Sequence, residues 1–82
     1  MTFSEFSKLS LDEKVYKVFE HGHEIMSRQF LYFDIKLYSF FDFYVELWYL
    51  PSINKIDRVD TLNLDEVLQL YKHEFDISGL FE

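Results

Sequence analysis

The histidines and clustered carboxylates of this 82-residue chain are the groups best suited to metal binding. His21 and His23 lie close together in the segment EHGHE, between two glutamates. Imidazole and carboxylate groups are common zinc ligands, but a zinc site needs three or four ligands that converge on one point. The third histidine, His73, is distant in sequence, and a helix that ends between His21 and His23 would direct their rings apart. The sequence therefore predicts no metal site and no other cofactor.

Two pairs of adjacent acids have the composition of general acid–base catalysts. They are Asp12 with Glu13 and Asp65 with Glu66. Catalysis by paired carboxylates requires one acid in an apolar pocket, where its pKa is raised. Both pairs instead fall in the predicted first turns of helices, where exposed N–H groups and the helix dipole favour carboxylates. A structural role explains these acids better.

An enzymatic function has one further set of candidate residues. Asp34 and Glu46 lie on predicted strands, and His73 lies near the end of the chain. The sequence has neither the motif of a nucleophilic serine nor a Gly-rich phosphate loop. A chain of this length also offers little material for a deep pocket. We therefore expect a non-enzymatic protein, with an enzyme that uses Asp34, Glu46 and His73 as the alternative.

The acidic balance of the chain limits the classes of partner. Fifteen acidic residues against eight basic ones give a net charge of −7. The basic residues are scattered, whereas phosphate binding needs a concentrated positive surface. Direct binding to nucleic acid is therefore not expected. The negative charge either serves solubility alone or attracts a basic protein partner.

The absence of cysteine excludes disulfides, thiolate zinc sites and thiol catalysis, and it fits a reducing compartment. The segment MTFSEFSKLSLDEK lacks the basic and apolar regions of a signal peptide. Uncharged runs are far shorter than the roughly 20 residues that a membrane helix needs. We expect a cytoplasmic protein that has no membrane contact.

Hydrophobic periodicity predicts a helix near each end of the chain. Residues 11–21 form the first, with Ser10 and Glu13 as a capping box and Gly22 as a left-handed C-terminal cap. Asn63 caps the second helix.

Between these helices, apolar and polar side chains alternate with a period of two, which predicts strands. Residues 31–39 and 41–49 alternate clearly. Residues 54–62 need a bulge to do so, and their charges suit an edge strand. Residues 24–30 are a weaker candidate for the opposite edge.

These elements predict an α+β fold with an N-terminal helix, a four-stranded antiparallel β-meander and a C-terminal helix. Both helices are expected on one sheet face. The length allows a single domain over residues 1–82, with residues 1–10 as a lead-in and residues 76–82 as a tail.

The two clearest strands should form a hairpin whose register follows from their alternation. Keeping the apolar sets of both strands on one face requires that opposed residue numbers have an even sum. We therefore expect Lys36 opposite Glu46 and Tyr38 opposite Tyr44. A register that places Asp34 opposite Glu46 would bring like charges together.

The other face of this hairpin combines aromatic and charged side chains. Two short helices can cover one sheet face, so this mixed face should stay exposed. Tyrosine and tryptophan among charges are typical of protein-binding surfaces, although such pairs also stabilise a solvent-facing sheet without a partner. The expected partner is another protein, or a second copy of the chain in a homodimer. The predicted partner-binding residues are Tyr32, Lys36, Tyr38, Tyr44, Glu46 and Trp48.

A second hypothesis concerns four acids near the last strand and the second helix: Asp57, Asp60, Asp65 and Glu66. Carboxylates can occupy the place of phosphates in a basic channel, and electrostatic steering then speeds association. Such a protein would inhibit a nucleic-acid-processing enzyme. Bacteriophage antagonists of host defence, anti-CRISPR proteins among them, are similar in size and charge. Against this hypothesis, basic residues interrupt the cluster.

The stretch DFYVELWYLPSINKI, read with EHG at the end of the first helix, resembles a pattern of short uncharacterised bacterial α+β proteins. The matching positions lie within residues 11–62 and are strand and turn residues. The resemblance implies a fold and assigns no functional residue.

Overall fold

The structure, a computed structural model, describes residues 1–72. Its element order confirms the predicted α+β class, with helices before and after a four-stranded antiparallel sheet of order β1-β2-β3-β4. The predicted tail at 76–82 lies outside the described residues. The elements are α1 (Phe3–Ser7), α2 (Leu11–His21), β1 (His23–Phe30), β2 (Phe33–Phe40), β3 (Phe43–Leu50), a 3-10 turn (Pro51–Ile53), β4 (Lys55–Leu62) and α3 (Leu64–Leu70).

Each of these α-helices begins with a capping box, which confirms the predicted box at Ser10 and the predicted cap at Asn63. At α2, the Ser10 hydroxyl accepts a hydrogen bond from the Glu13 N–H at 3.2 Å, and the Glu13 carboxylate accepts one from the Ser10 N–H at 3.1 Å. These bonds satisfy N–H groups that the first helical turn leaves free. The backbone hydrogen bond from Ser10 lowers the pKa of Glu13.

The end of α2 differs from the prediction of a left-handed cap. Gly22 has an extended backbone, with φ −84° and ψ 160°. Its N–H donates to the Val18 carbonyl oxygen at 2.7 Å. A Cβ atom at Gly22 would lie 2.6 Å from that oxygen, so glycine is needed for a close approach and not for its left-handed conformation.

A two-residue turn, Phe41–Asp42, joins β2 to β3 and sets their register. Phe40 and Phe43 lie opposite each other across this turn, and Phe41 has a positive φ of 54°. When a two-residue turn joins two strands, the residue numbers of any opposed pair add up to an odd number. The predicted even register therefore does not fit this turn.

The observed pairing corrects the prediction for the central hairpin. Lys36 lies opposite Leu47, and Glu46 lies opposite Leu37. Because opposed residues share a face, the apolar sets of β2 and β3 point to opposite sides of the sheet. Each face is therefore partly apolar, and each needs a cover.

The core accordingly forms two layers. The front face, which carries Tyr38, Phe40, Val45 and Leu47, packs against Phe6 of α1 and Val18 of α2. The back face carries Ile35, Leu37, Glu46 and Trp48. Its covering helix is α3, whose Val67 joins Leu37 in a second buried cluster that also contains Leu62 and Tyr71. The expectation that both helices lie on one sheet face is thus corrected, since only α1 and α2 cover the front.

Both edge strands carry irregularities that the sequence anticipated in part. The predicted bulge in β4 is confirmed, because Trp48 pairs with Arg58 while Tyr49 pairs with Ile56. The weaker candidate at residues 24–30 is confirmed as the other edge, where the register with β2 also shifts. Within residues 1–72, no helix is both long enough and apolar enough to cross a membrane.

The Gly22→Ala substitution tests the close approach at the end of α2. The added methyl group should displace the Val18 carbonyl and weaken its hydrogen bond, lowering the free energy of unfolding by about 1–3 kcal/mol. Urea unfolding followed by circular dichroism measures this change. Equal stability of the two proteins would show that the chain relaxes freely at this position.

Candidate functional site

The predicted partner-binding face is divided between the two sides of the sheet. Lys36 and Tyr38 point to the front, whereas Tyr44, Glu46 and Trp48 point to the back. Glu46 is 1% exposed and Trp48 is 7% exposed, and Tyr38 is also buried. Three of the predicted contact residues are therefore core residues, because Tyr38 lies in the front layer and Glu46 and Trp48 lie in the back layer.

The remaining predicted contact residues are accessible in different places. Lys36 is exposed on the front face, and Tyr44 is half-buried on the back. Tyr32 is 82% exposed in the turn between β1 and β2. The structure therefore does not bring the six predicted residues together in one exposed surface.

A buried carboxylate, Glu46, forms the main polar centre of the back face. Arg28 of β1 donates two hydrogen bonds to it, from Nε to Oε2 at 2.9 Å and from Nη2 to Oε1 at 3.1 Å. Tyr71 follows α3, and its hydroxyl donates a hydrogen bond to Glu46 Oε2 at 2.6 Å. A buried charge is tolerated only when it is paired and hydrogen-bonded, and these three bonds meet that requirement.

The pKa values of both donors reflect this arrangement. The hydrogen bond to Glu46 raises the pKa of Arg28, which remains charged. Burial, followed by the hydrogen bond to Glu46, raises the pKa of Tyr71 well above its usual range. The centre therefore holds a neutral phenol and an ion pair at neutral pH, and it joins β1, β3 and the end of α3.

Trp48 lies beside this centre and is enclosed by cations and rings. The Arg58 guanidinium lies 3.9 Å from the centre of its ring system, and that of Arg28 lies at 5.4 Å. The rings of Phe33 and Phe30 pack edge-on at 5.1 and 6.0 Å. The Trp48 Nε1 atom is buried and has no hydrogen-bond partner among residues 1–72. The packing of Trp48 is that of a core residue, which corrects its predicted role as an accessible partner contact.

An apolar groove of about 730 Å³ lies on the front face, where α2 leaves one end of the sheet uncovered. Its volume lies within the usual range for binding pockets. Leu47 forms part of its buried floor, and Phe19 of α2 is an exposed wall. The residues that line the groove are Leu11, Asp12, Val15, Phe19, Asp34, Lys36, Tyr38, Leu47, Tyr49, Asn54, Lys55 and Ile56.

The charged groups of this groove carry both signs. The lining includes two acids, Asp12 and Asp34, and two lysines, Lys36 and Lys55. Asp34 accepts a hydrogen bond from the Gln29 side chain at 3.0 Å. The groove thus has an apolar floor and charged groups of both signs at its rim. It suits a segment in which an apolar side chain is flanked by polar residues.

The residues of the enzymatic alternative do not converge in the described part of the chain. Asp34 is on the front face and Glu46 is on the back face, so the sheet separates them. His73 lies outside the described residues. His21 pairs with Glu20 at 2.8 Å. Among residues 1–72, no group of three or more potential ligand side chains is placed to hold a metal ion.

The predicted acidic patch has local partners for two of its members. Asp60 accepts hydrogen bonds from Arg58, the shorter at 2.7 Å, and Glu66 is part of the capping box of α3. Asp57 and Asp65 are exposed. Local pairing explains half of the patch, and the inhibitor hypothesis remains a prediction from charge.

Sequence reasoning missed the groove and the partners of Glu46. The groove arises because α2 covers only part of a face, which depends on the packing angle and not on the helix pattern. Arg28 had a signal, since a lone arginine on an edge strand can reach a buried acid. The hydrogen bond of Tyr71 required the placement of α3 on the back face, which the helix pattern does not give.

Comparison of the chain with protein-family models, with curated proteins and with solved structures found no match.

The Glu46→Ala substitution should be strongly destabilising, by about 3–5 kcal/mol, because it leaves the half-buried Arg28 charge without its partner. Glu24→Ala is the matched control, since its ion pair with Lys36 is exposed on both sides. We expect the control to change stability by less than about 1 kcal/mol. Urea unfolding of both variants measures the difference. Equal effects would mean that Glu46 does not hold the back face together.

The raised pKa of Tyr71 predicts a loss of stability in alkali. Its contribution is complete below about pH 10, the ordinary tyrosine value, and falls as the pH rises towards the higher folded-state pKa. The unfolding free energy measured across this range should decline less steeply in Tyr71→Phe. Tyr38→Phe serves as the comparison, because burial also raises the pKa of Tyr38. A slope that is the same in wild type and Tyr71→Phe would contradict this assignment.

Proposed function

We propose that this protein is a non-enzymatic binding module that holds a segment of a protein partner in the front-face groove. The groove itself is the observation that carries the proposal, because it combines an apolar floor with an accessible wall of α2 side chains. Lys36 and Tyr38 of the predicted contact set belong to its lining.

The shape and composition of the groove favour a protein segment as the occupant. It lies between a helix and a sheet and contains aromatic side chains, which are enriched at protein interfaces. Phe19 and Leu11 expose apolar surface along one side. An apolar side chain of the partner would enter the groove, and polar groups of the partner would meet the charged rim.

The net charge of −7 adds a preference for a positively charged partner. Charge of one sign over the whole surface raises the rate of encounter with the opposite sign, while local apolar contact supplies most of the affinity. The absence of cysteine fits a cytoplasmic location for this interaction.

The Phe19→Gln substitution tests this function, with Tyr16→Gln as its matched control. Both side chains are exposed aromatics on α2, at 60% and 64%, but only Phe19 lines the groove. Loss of a central aromatic contact should weaken partner binding at least about tenfold, while the control should bind normally. Affinity capture from native lysate, with quantification of each recovered protein, measures this difference.

The supporting result is a protein that wild type and Tyr16→Gln recover and Phe19→Gln loses. Its recovery should also fall as salt rises from about 50 to 200 mM, if the partner is basic. Equal recovery by all three proteins would exclude the groove as the binding site.

A further inference from the structure

The turn between β1 and β2 presents two large apolar side chains to solvent. Leu31 is 77% exposed and Tyr32 is 82% exposed. Leu31 also has a positive φ of 54°, a conformation that side chains with a Cβ atom rarely adopt. Glycine or asparagine is usual at such a turn position. The β1–β2 tip, meaning Leu31 and Tyr32, therefore combines exposure with an unfavourable backbone.

The other two-residue turn has the same backbone but an evident intramolecular role. Phe41 also has φ 54°, and its ring packs against those of Phe40 at 4.8 Å and His21 at 5.5 Å. These contacts give Phe41 a reason to occupy a turn position. Leu31 and Tyr32, in contrast, stay highly exposed and have no comparable packing role among residues 1–72.

The tip lies at the same end of the molecule as the open part of the groove. In an antiparallel meander, the β1–β2 turn and the β3–β4 connection share one end of the sheet. The groove extends to this end through Asp34, Tyr49 and Lys55. Ile53, in the connection, adds a further apolar side chain there and is 61% exposed.

We propose that two copies of this chain form a two-fold dimer in which the tip of each enters the groove of the other. A projection and a matching cavity at the same end allow both contacts to form at once around one axis. The proposal rests on the groove function above and names the tip of a second copy as its occupant.

The available apolar surface is sufficient for such a dimer. Leu31, Tyr32 and Ile53 together expose roughly 400 Å² per copy, given ~150–250 Å² for a large aromatic side chain and somewhat less for an aliphatic one. The two grooves expose about half as much surface as these side chains, so the total is on the order of 1,200 Å². This total is at the lower limit of specific interfaces, whereas a single contact of this kind buries about half as much.

A variant with a favourable turn, Leu31→Gly with Tyr32→Asn, tests the role of the tip. It should fold at least as stably as wild type, because glycine relieves the unfavourable backbone, yet its dimer dissociation constant should rise at least about a hundredfold. Phe41→Gly with Asp42→Asn makes the same change in the other turn and should still dimerise. Sedimentation velocity over a concentration series measures association, and urea unfolding verifies folding.

A mixing experiment tests whether the contact is reciprocal. The groove variant Phe19→Gln should also dimerise at least about tenfold more weakly than wild type. A mixture of the tip variant and the groove variant retains one intact tip and one intact groove, so it should form more dimer than either variant alone. A tip variant that dimerises like wild type, or a groove variant that does so, would overturn the proposal.

Salt separates this dimer from binding to a basic partner. Two copies with a charge of −7 repel each other, so added salt should strengthen the dimer, whereas it weakens attraction to a positive partner. A wild-type protein that stays monomeric at up to about 500 µM would refute the dimer. In that case Phe19-dependent capture of another protein would still support the groove function, while its absence would reject both.

Discussion

The two-residue turn Phe41–Asp42 fixes the direction of every side chain in the two central strands. Because it sets Phe40 opposite Phe43, opposed residues in β2 and β3 have numbers with an odd sum. The alternating apolar residues of the two strands then point to opposite sides of the sheet. A sheet with apolar residues on both faces must be covered on both, so α1 and α2 pack on the front and α3 packs on the back.

The same register places a carboxylate inside the back layer. Glu46 lies opposite Leu37 and is enclosed once α3 is in place. Burial of an unpaired carboxylate would be prohibitive, and Arg28 and Tyr71 supply the donors that make it tolerable. Since these donors come from the edge strand β1 and from the end of α3, the requirement of one buried acid fixes both elements to the sheet.

The front layer is less complete, and its opening is where function is proposed. Helix α2 is short, so the end of the sheet near Asp34 and Tyr49 stays accessible beside it. The result is a concave apolar surface, while the exposed tip at the same end is convex and apolar. Large contiguous apolar patches are uncommon on the surface of monomeric proteins and often mark interaction sites.

Element types and helix starts followed from the sequence alone, because capping boxes, alternation and turn residues depend on neighbours in the chain. The capping box at Ser10, the cap at Asn63 and the bulge in β4 are examples of such local signals. The faces were decided only in the tertiary structure. A shift of the register by one residue exchanges the inward and outward side chains of a strand. This shift places Trp48 and Glu46 in the core, although the sequence predicted them on an exposed surface. The groove likewise depends on the angle at which α2 packs on the sheet, which no pattern of residues encodes.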